Sequence, residues 1–130
     1  MTARVGKYLH VVFTNPTEGS EDEFNEWYST VHLPEVLEMP GFVSGQRFKL
    51  LDPEHLDGPR YLAVYEIESD DIDATIQMIP RLAPHRIKSP AIDTAVSDVR
   101  TYEPIGERLV ARPDTPTLES NRTPTRSTQS

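Results

Sequence analysis

At 130 residues the chain is expected to hold one domain with a single modest core. Its 21 acidic and 13 basic side chains leave a net charge of −8, which disfavours nucleic acid as a partner because phosphates attract basic surfaces. Zero cysteines exclude disulfides, thiolate nucleophiles and Cys-based metal sites; with no run near the ~18–20 apolar residues of a membrane span and no visible secretory signal, the expected location is cytoplasmic, with no membrane partner.

Residues 8–14 form a β-branched and aromatic run ended by Asn15-Pro16 and Gly19, which predicts a first strand. Ser20 followed by Glu21, Asp22 and Glu23 is a helix start, with acids at the positive end of the dipole. On that helix Asn25, Tyr28 and His32 are spaced i, i+3, i+7 and share one stripe, beside an apolar stripe of Phe24, Trp27 and Val31. Pro34 removes the bond to the Thr30 carbonyl, so the helix is expected to end or kink near His32, with one short turn before Pro40-Gly41.

Residues 42–51 alternate as a second strand, and residues 52–59 are a Pro/Gly loop carrying an exposed His55. Residues 61–67 give a third strand, with Tyr65 and Glu66 on opposite sides. Ser69 with Asp70 and Asp71 repeats the cap signature ahead of a helix marked by Ile72, Ile76 and Ile79, which Pro80 and Pro84 are expected to break. Residues 94–102 form a fourth strand that could run on to Leu109. From Ala111 the chain is Pro-, Ser- and Thr-rich with almost no apolar residues, so 1–110 is the expected domain and 111–130 a disordered or loosely attached tail.

The order βαββαβ predicts an α+β, ferredoxin-like fold: an antiparallel four-stranded sheet with both helices on one face. Both alternation sets of the first and third strands are apolar, so the helix-free face also needs cover, and a homodimer is the economical solution.

The strand pattern of residues 8–13, Phe24-Asn25-Glu26-Trp27-Tyr28, Val31-His32-Leu33-Pro34, Pro40-Gly41-Phe42 and Arg47 resembles the dimeric α+β barrel proteins, nearest to their EthD-like branch, over about residues 7–105. That resemblance implies a dimeric α+β barrel. It places the chain among cofactor-free cyclases, dehydratases, isomerases and lyases, metal-free oxygenases, haem proteins and proteins of unknown role. The histidine of the His-Leu-Pro motif maps onto His32. Fold likeness carries the architecture further than the chemistry, which belongs to the site.

The residues themselves offer proton-transfer chemistry. His32 can exchange a proton near neutral pH, or else cap the helix end. Tyr28 and Asn25 could hold a developing oxyanion, or Tyr28 could simply mark the core boundary. Trp27 reads as a core anchor or a ligand platform. His10 in the first strand needs a partner if buried, and either Tyr65 or Glu66 can face the pocket. Glu66 with His10 or Arg47 would make an acid/base set or a structural ion pair. Arg47 could fork onto a substrate carboxylate, and His85 could edge the pocket mouth. A two-His-plus-carboxylate metal site from His10, His32 and Glu66 is conceivable. No phosphate loop, nucleophile elbow, zinc motif or EF-hand is present, so no cofactor or metal is implied.

The expected function is therefore a cofactor-independent lyase, isomerase or cyclase acting on a small hydrophobic carbonyl or phenolic compound of catabolism or secondary metabolism. The catalytic set is His32, Tyr28 and Asn25; the substrate-binding set is Trp27, His10, Tyr65, Glu66, Arg47 and His85. Oxygenase chemistry, metal-free or with haem, and non-enzymatic small-molecule binding are the competing classes.

Overall fold

The structure, a computed structural model, describes residues 5–52 and 57–113. His55 and nearly all of the polar segment lie outside the described residues. The elements run β1 (Gly6–Pro16), α1 (Glu21–Trp27), a π turn (Tyr28–His32), α2 (Leu33–Val36), β2 (Phe42–Lys49), β3 (Tyr61–Ser69), α3 (Ile72–Leu82), a 3-10 turn (Ala83–His85) and β4 (Ile92–Tyr102). The strands form one sheet in the order β2-β3-β1-β4, with every neighbouring pair antiparallel. This is the predicted ferredoxin-like plan.

The register settles which side of each strand meets the helices. His10 lies opposite Tyr65, Val12 opposite Ala63 and Thr14 opposite Tyr61. All of these point into the helix-covered layer, where Phe24, Tyr28, Val36, Met39, Phe42, Tyr61, Ala63, Tyr65, Ile67 and Ala91 make the core. Period-two alternation then assigns Leu9, Val11, Phe13, Leu62, Val64, Glu66 and Phe48 to the opposite face, which no described helix covers. Leu9 and Phe48 are more than two-fifths exposed there.

Pro34 follows the irregularity expected near His32, and Pro80 lies inside its helix. The first helix does not stop at His32. It passes through the π turn, where the Leu33 N–H bonds the Tyr28 carbonyl, and continues as α2 with Pro34 in its first turn. The widened turn precedes Pro34, which has no N–H to donate and sits in the first turn of α2. Pro80 likewise sits inside α3, near enough to the end that losing one ladder bond does not stop the helix before Leu82. The fourth strand ends at Tyr102, and residues 103–113 carry no further strand.

The turn into β2 depends on Gly41, whose φ of +91° is a backbone state that side chains disfavour. It follows Met39-Pro40 and brings Phe42 into the core, with the Glu68 N–H bonded to the Gly41 carbonyl at 2.8 Å.

Candidate functional site

The π turn and the middle of the sheet converge on one polar-aromatic cluster. Tyr28 comes from the start of the π turn and His32 from its end, with their rings edge to face at 4.7 Å between centroids. Trp27 closes the other side of His32, stacked at 4.8 Å with 21° between planes. From the sheet come Tyr65 on β3 and His10 on β1, 6.2 Å apart, each in contact with Phe42. Tyr28 and Tyr65 are both 1% exposed, yet neither hydroxyl has a hydrogen-bond partner, and His32 Nδ1 is also buried without one. An unpaired buried polar atom costs about 1–3 kcal/mol, so three in one cluster are an expense that packing alone does not explain.

A second observation concerns the segment after α3. The Ile87 peptide is clamped across the helical layer: its N–H donates to the Glu35 carboxylate at 3.2 Å, and its carbonyl accepts from Trp27 Nε1 at 3.1 Å. This clamp turns the preceding Arg86 inward. Its guanidinium reaches the buried Met39, with Nη2 at 2.9 Å from Sδ. His85 next to it is exposed.

Burial and then the Arg86 charge hold His32 down to about 4, against a smaller upward pull from Glu35. The same two causes, in the same order, lower His10, whose Nδ1 is 3.0 Å from the Thr101 hydroxyl. Burial raises both Tyr28 and Tyr65, with Tyr65 pushed further by Tyr28 beside it. At neutral pH the cluster thus holds neutral imidazoles, with His32 Nδ1 unpartnered, and phenols that keep their protons. That is a base next to two hydrogen-bond donors.

The other sequence candidates divide. Asn25 does not join Tyr28 and His32. Its side chain accepts from Arg47 Nη2 at 2.8 Å and donates to the Tyr61 hydroxyl at 3.3 Å. The reason is the π turn, because one extra residue in a helical revolution displaces whatever follows by roughly 100°, so His32 leaves the stripe of Asn25. Arg47 packs over Tyr28, with Cζ 4.7 Å from the ring centre, and near Phe24 and Tyr61, while holding the Ser29 hydroxyl at 3.0 Å. It buttresses the Tyr28 ring from the side of β2.

Glu66 corrects an expectation. It lies on the helix-free face and accepts from the Ser44 hydroxyl at 2.6 Å, so it pairs with neither His10 nor Arg47. The trio of His10, His32 and Glu66 is divided by the sheet, and among the described residues no group of three metal-ligating side chains comes together. Arg86 and Gly45 were not singled out by the sequence. The prolines at 84 and 90 bracket Arg86, and that is the signal that could have marked residues 85–89 as a fixed strap.

Two open clefts lie elsewhere. One of ≈ 520 Å³ sits between Gly41, Ser69 and α3, and one of ≈ 620 Å³ between residues 16–23 and Arg60; neither is lined by Tyr28, His32 or Tyr65. The cluster is closed by its own rings and by the Trp27–Ile87 clamp.

The profile of a family described as Domain of unknown function (DUF4286) matches residues 7–77, more than half of the chain. The chain belongs to that family. The matched stretch carries His10, Tyr28, His32, Arg47 and Tyr65 but stops short of Arg86. No curated protein matches the chain. Among solved structures it is similar to the heme-degrader MhuD from Mycobacterium tuberculosis, determined with two hemes bound in its active site. The identity is 20% and the TM-score 0.52, over 78% of this chain and 98% of that one. At that identity the likeness establishes the ferredoxin-like α+β fold. No helix among the described residues is long and apolar enough to cross a membrane.

Proposed function

We propose that this DUF4286 protein is a small-molecule enzyme that removes a proton from a hydrophobic carbonyl or phenolic compound, with His32 as the base. The observation that carries the reading is the trio of buried, unpartnered polar atoms: Tyr28 Oη, His32 Nδ1 and Tyr65 Oη. A ligand oxygen between the two hydroxyls would satisfy both and receive their hydrogen bonds as negative charge develops. The neutral imidazole beside them would take the proton. Trp27 and His10 would wall the substrate, and entry requires release of the Trp27–Ile87 hydrogen bond. The resemblance of residues 24–34 to EthD-like proteins adds support for His32. The acting unit is residues 1–110, in the cytoplasm.

The carbanion or phenolate so formed can rearrange or eliminate, giving a lyase, isomerase or cyclase. It can instead react with oxygen, the second fate open to an electron-rich carbanion or phenolate. Haem itself does not fit the cluster. His32 is enclosed by Trp27 on one face and Tyr28 on the other, and His10 is 4% exposed with Nδ1 engaged by Thr101. Neither imidazole has a flat space beside it for a macrocycle, so the oxygenase version proposed is the metal-free one.

A homodimer through the helix-free face accompanies this reading. Leu9, Val11, Phe13, Leu62, Val64 and Phe48 give that face its apolar surface, with Glu66 beside Leu9 on the inner strand β3 and the Asp98–Arg100 pair on the edge strand β4, opposite Phe13 and Val11.

The test is exchange in D₂O. A panel of 1,3-dicarbonyl and phenolic compounds is incubated with the protein, and C–H to C–D exchange is followed by NMR. Exchange that needs His32 supports the reading; exchange undiminished in a folded His32→Gln variant overturns it. Oxygen uptake with the same compounds separates the two fates.

A further inference from the structure

Arg86 is a permanently charged group held in a poor setting. Its guanidinium is half-buried against the Met39 thioether, a weak acceptor that offers no countercharge. Among the described residues no carboxylate lies within ion-pair distance of it. The Ile87 peptide next to it is fixed from both sides by Glu35 and Trp27, so the inward direction of Arg86 is built rather than incidental. Its charge acts on the buried hydroxyls of Tyr28 and Tyr65 and on the His32 ring, and each tyrosine is 99% removed from solvent. Across the Tyr28 ring stands a second guanidinium, that of Arg47. A chain of net charge −8 has thus set two cations where both act on these two buried hydroxyls.

We infer that the ligand of this site is an organic anion, a carboxylate-bearing aromatic or enolisable compound whose acid group seats on Arg86 while its carbonyl or phenol oxygen meets Tyr28 and Tyr65. A carboxylate supplies the planar, two-oxygen partner that a guanidinium fork matches and that a thioether does not. A desolvated cation without a counterion is costly, and an arriving anion removes that cost. Seating the anion has a chemical consequence as well. The Arg86 charge is one of the two causes that keep His32 a weak base. Neutralising it raises the basicity of His32 only when substrate is in place, so binding and proton abstraction are coupled through Arg86.

This inference rests on the proposed function and names the substrate class for the same site. Salicylate and its neutral analogue salicylamide are the probes, titrated into the full chain while following emission of Trp27, the single tryptophan. Salicylate is expected to bind at least ten-fold more tightly than salicylamide. The preference should vanish in Arg86→Gln and be partly kept in Arg86→Lys, both variants remaining folded by circular dichroism. The NMR titration midpoint of His32 should rise when salicylate is bound. Equal affinity for the two probes in the wild-type protein overturns the inference without recourse to any variant. If D₂O exchange on neutral carbonyl compounds still depends on His32 in that case, the proposed function survives. A failure of both probes to perturb Trp27 overturns the inference too, and loss of His32-dependent exchange then removes the proposed function with it.

Discussion

Gly45 makes the place for Tyr65. A Cβ at position 45 would stand 2.9 Å from Tyr65 Cδ1 and 3.3 Å from Leu33 Cδ1, between the sheet and the start of α2. The Gly45→Ala variant must therefore push a fully buried ring or the helix behind it. The expected cost is about 1–3 kcal/mol, as for other overpacked interiors, read as a lower urea midpoint with an unchanged slope. Because the clash is with ring carbons, adding Tyr65→Phe does not relieve it, whereas Tyr65→Leu recovers part of it.

The hydroxyl of Tyr65 makes the opposite case. Removing an unpartnered buried hydroxyl takes away a desolvation cost without breaking a bond. Tyr65→Phe should leave stability within about 1 kcal/mol of the wild type, or raise it. Proton exchange on the substrate should fall by about a hundred-fold, the scale of losing one oxyanion donor. A variant that is as stable and as active as the parent would strip Tyr65 of any role.

Acid titration gives a third check. His32 sits at about 4 in the folded chain, below the ~6.5 of a free imidazole, so the unfolded chain binds the proton more readily between those values. The His32 contribution is complete above about pH 6.5 and drains away as pH falls to about 4, for a loss on the order of 2–3 kcal/mol. His10 is lowered as well and adds in the same direction. Denaturation curves collected between pH 4 and 7.5 should flatten in His32→Gln. Stability that grows on acidification would mean that the folded state welcomes the charged ring.

The uncovered sheet face predicts the solution state. Wild-type protein at tens of micromolar should elute with the mass of two chains in light-scattering chromatography. Val64, between Val11 and Gln46 on the face without helices, is the place to break it. Val64→Lys should give single chains that keep the same far-ultraviolet spectrum, since an unpaired ammonium at the centre of an apolar contact is expensive. A monomeric wild type would remove the dimer from the proposal.

The sheet was legible in the sequence because period-two alternation and turn residues act locally: Tyr8, His10 and Val12 against Leu9, Val11 and Phe13 already separate the faces of β1. What alternation left open was which set meets the helices, and pairing supplies that by setting His10 against Tyr65. The stripe of Asn25, Tyr28 and His32 was half right. A regular helix period was applied through a turn that is not regular, so Tyr28 and His32 meet while Asn25 goes to Arg47. Glu66 was ambiguous for the same reason as Tyr65, two neighbours on a strand competing for one interior. Arg86 lay beyond local rules altogether, since its direction follows from the contacts of its neighbour Ile87 with Trp27 and Glu35, 60 and 52 residues before Ile87.

The π turn has one more implication. Bulges of this kind accommodate an additional residue within a helix. Deleting one of Ser29, Thr30 or Val31 should let α1 and α2 fuse into an ordinary rod, with the sheet unchanged. Such a shortened chain would pass every test of architecture and yet present its imidazole at a different angle to the tyrosine below. Fold and chemistry in this protein can thus be uncoupled by the length of five residues, and sequence relatives that differ by a single gap there should not be assumed to share a reaction.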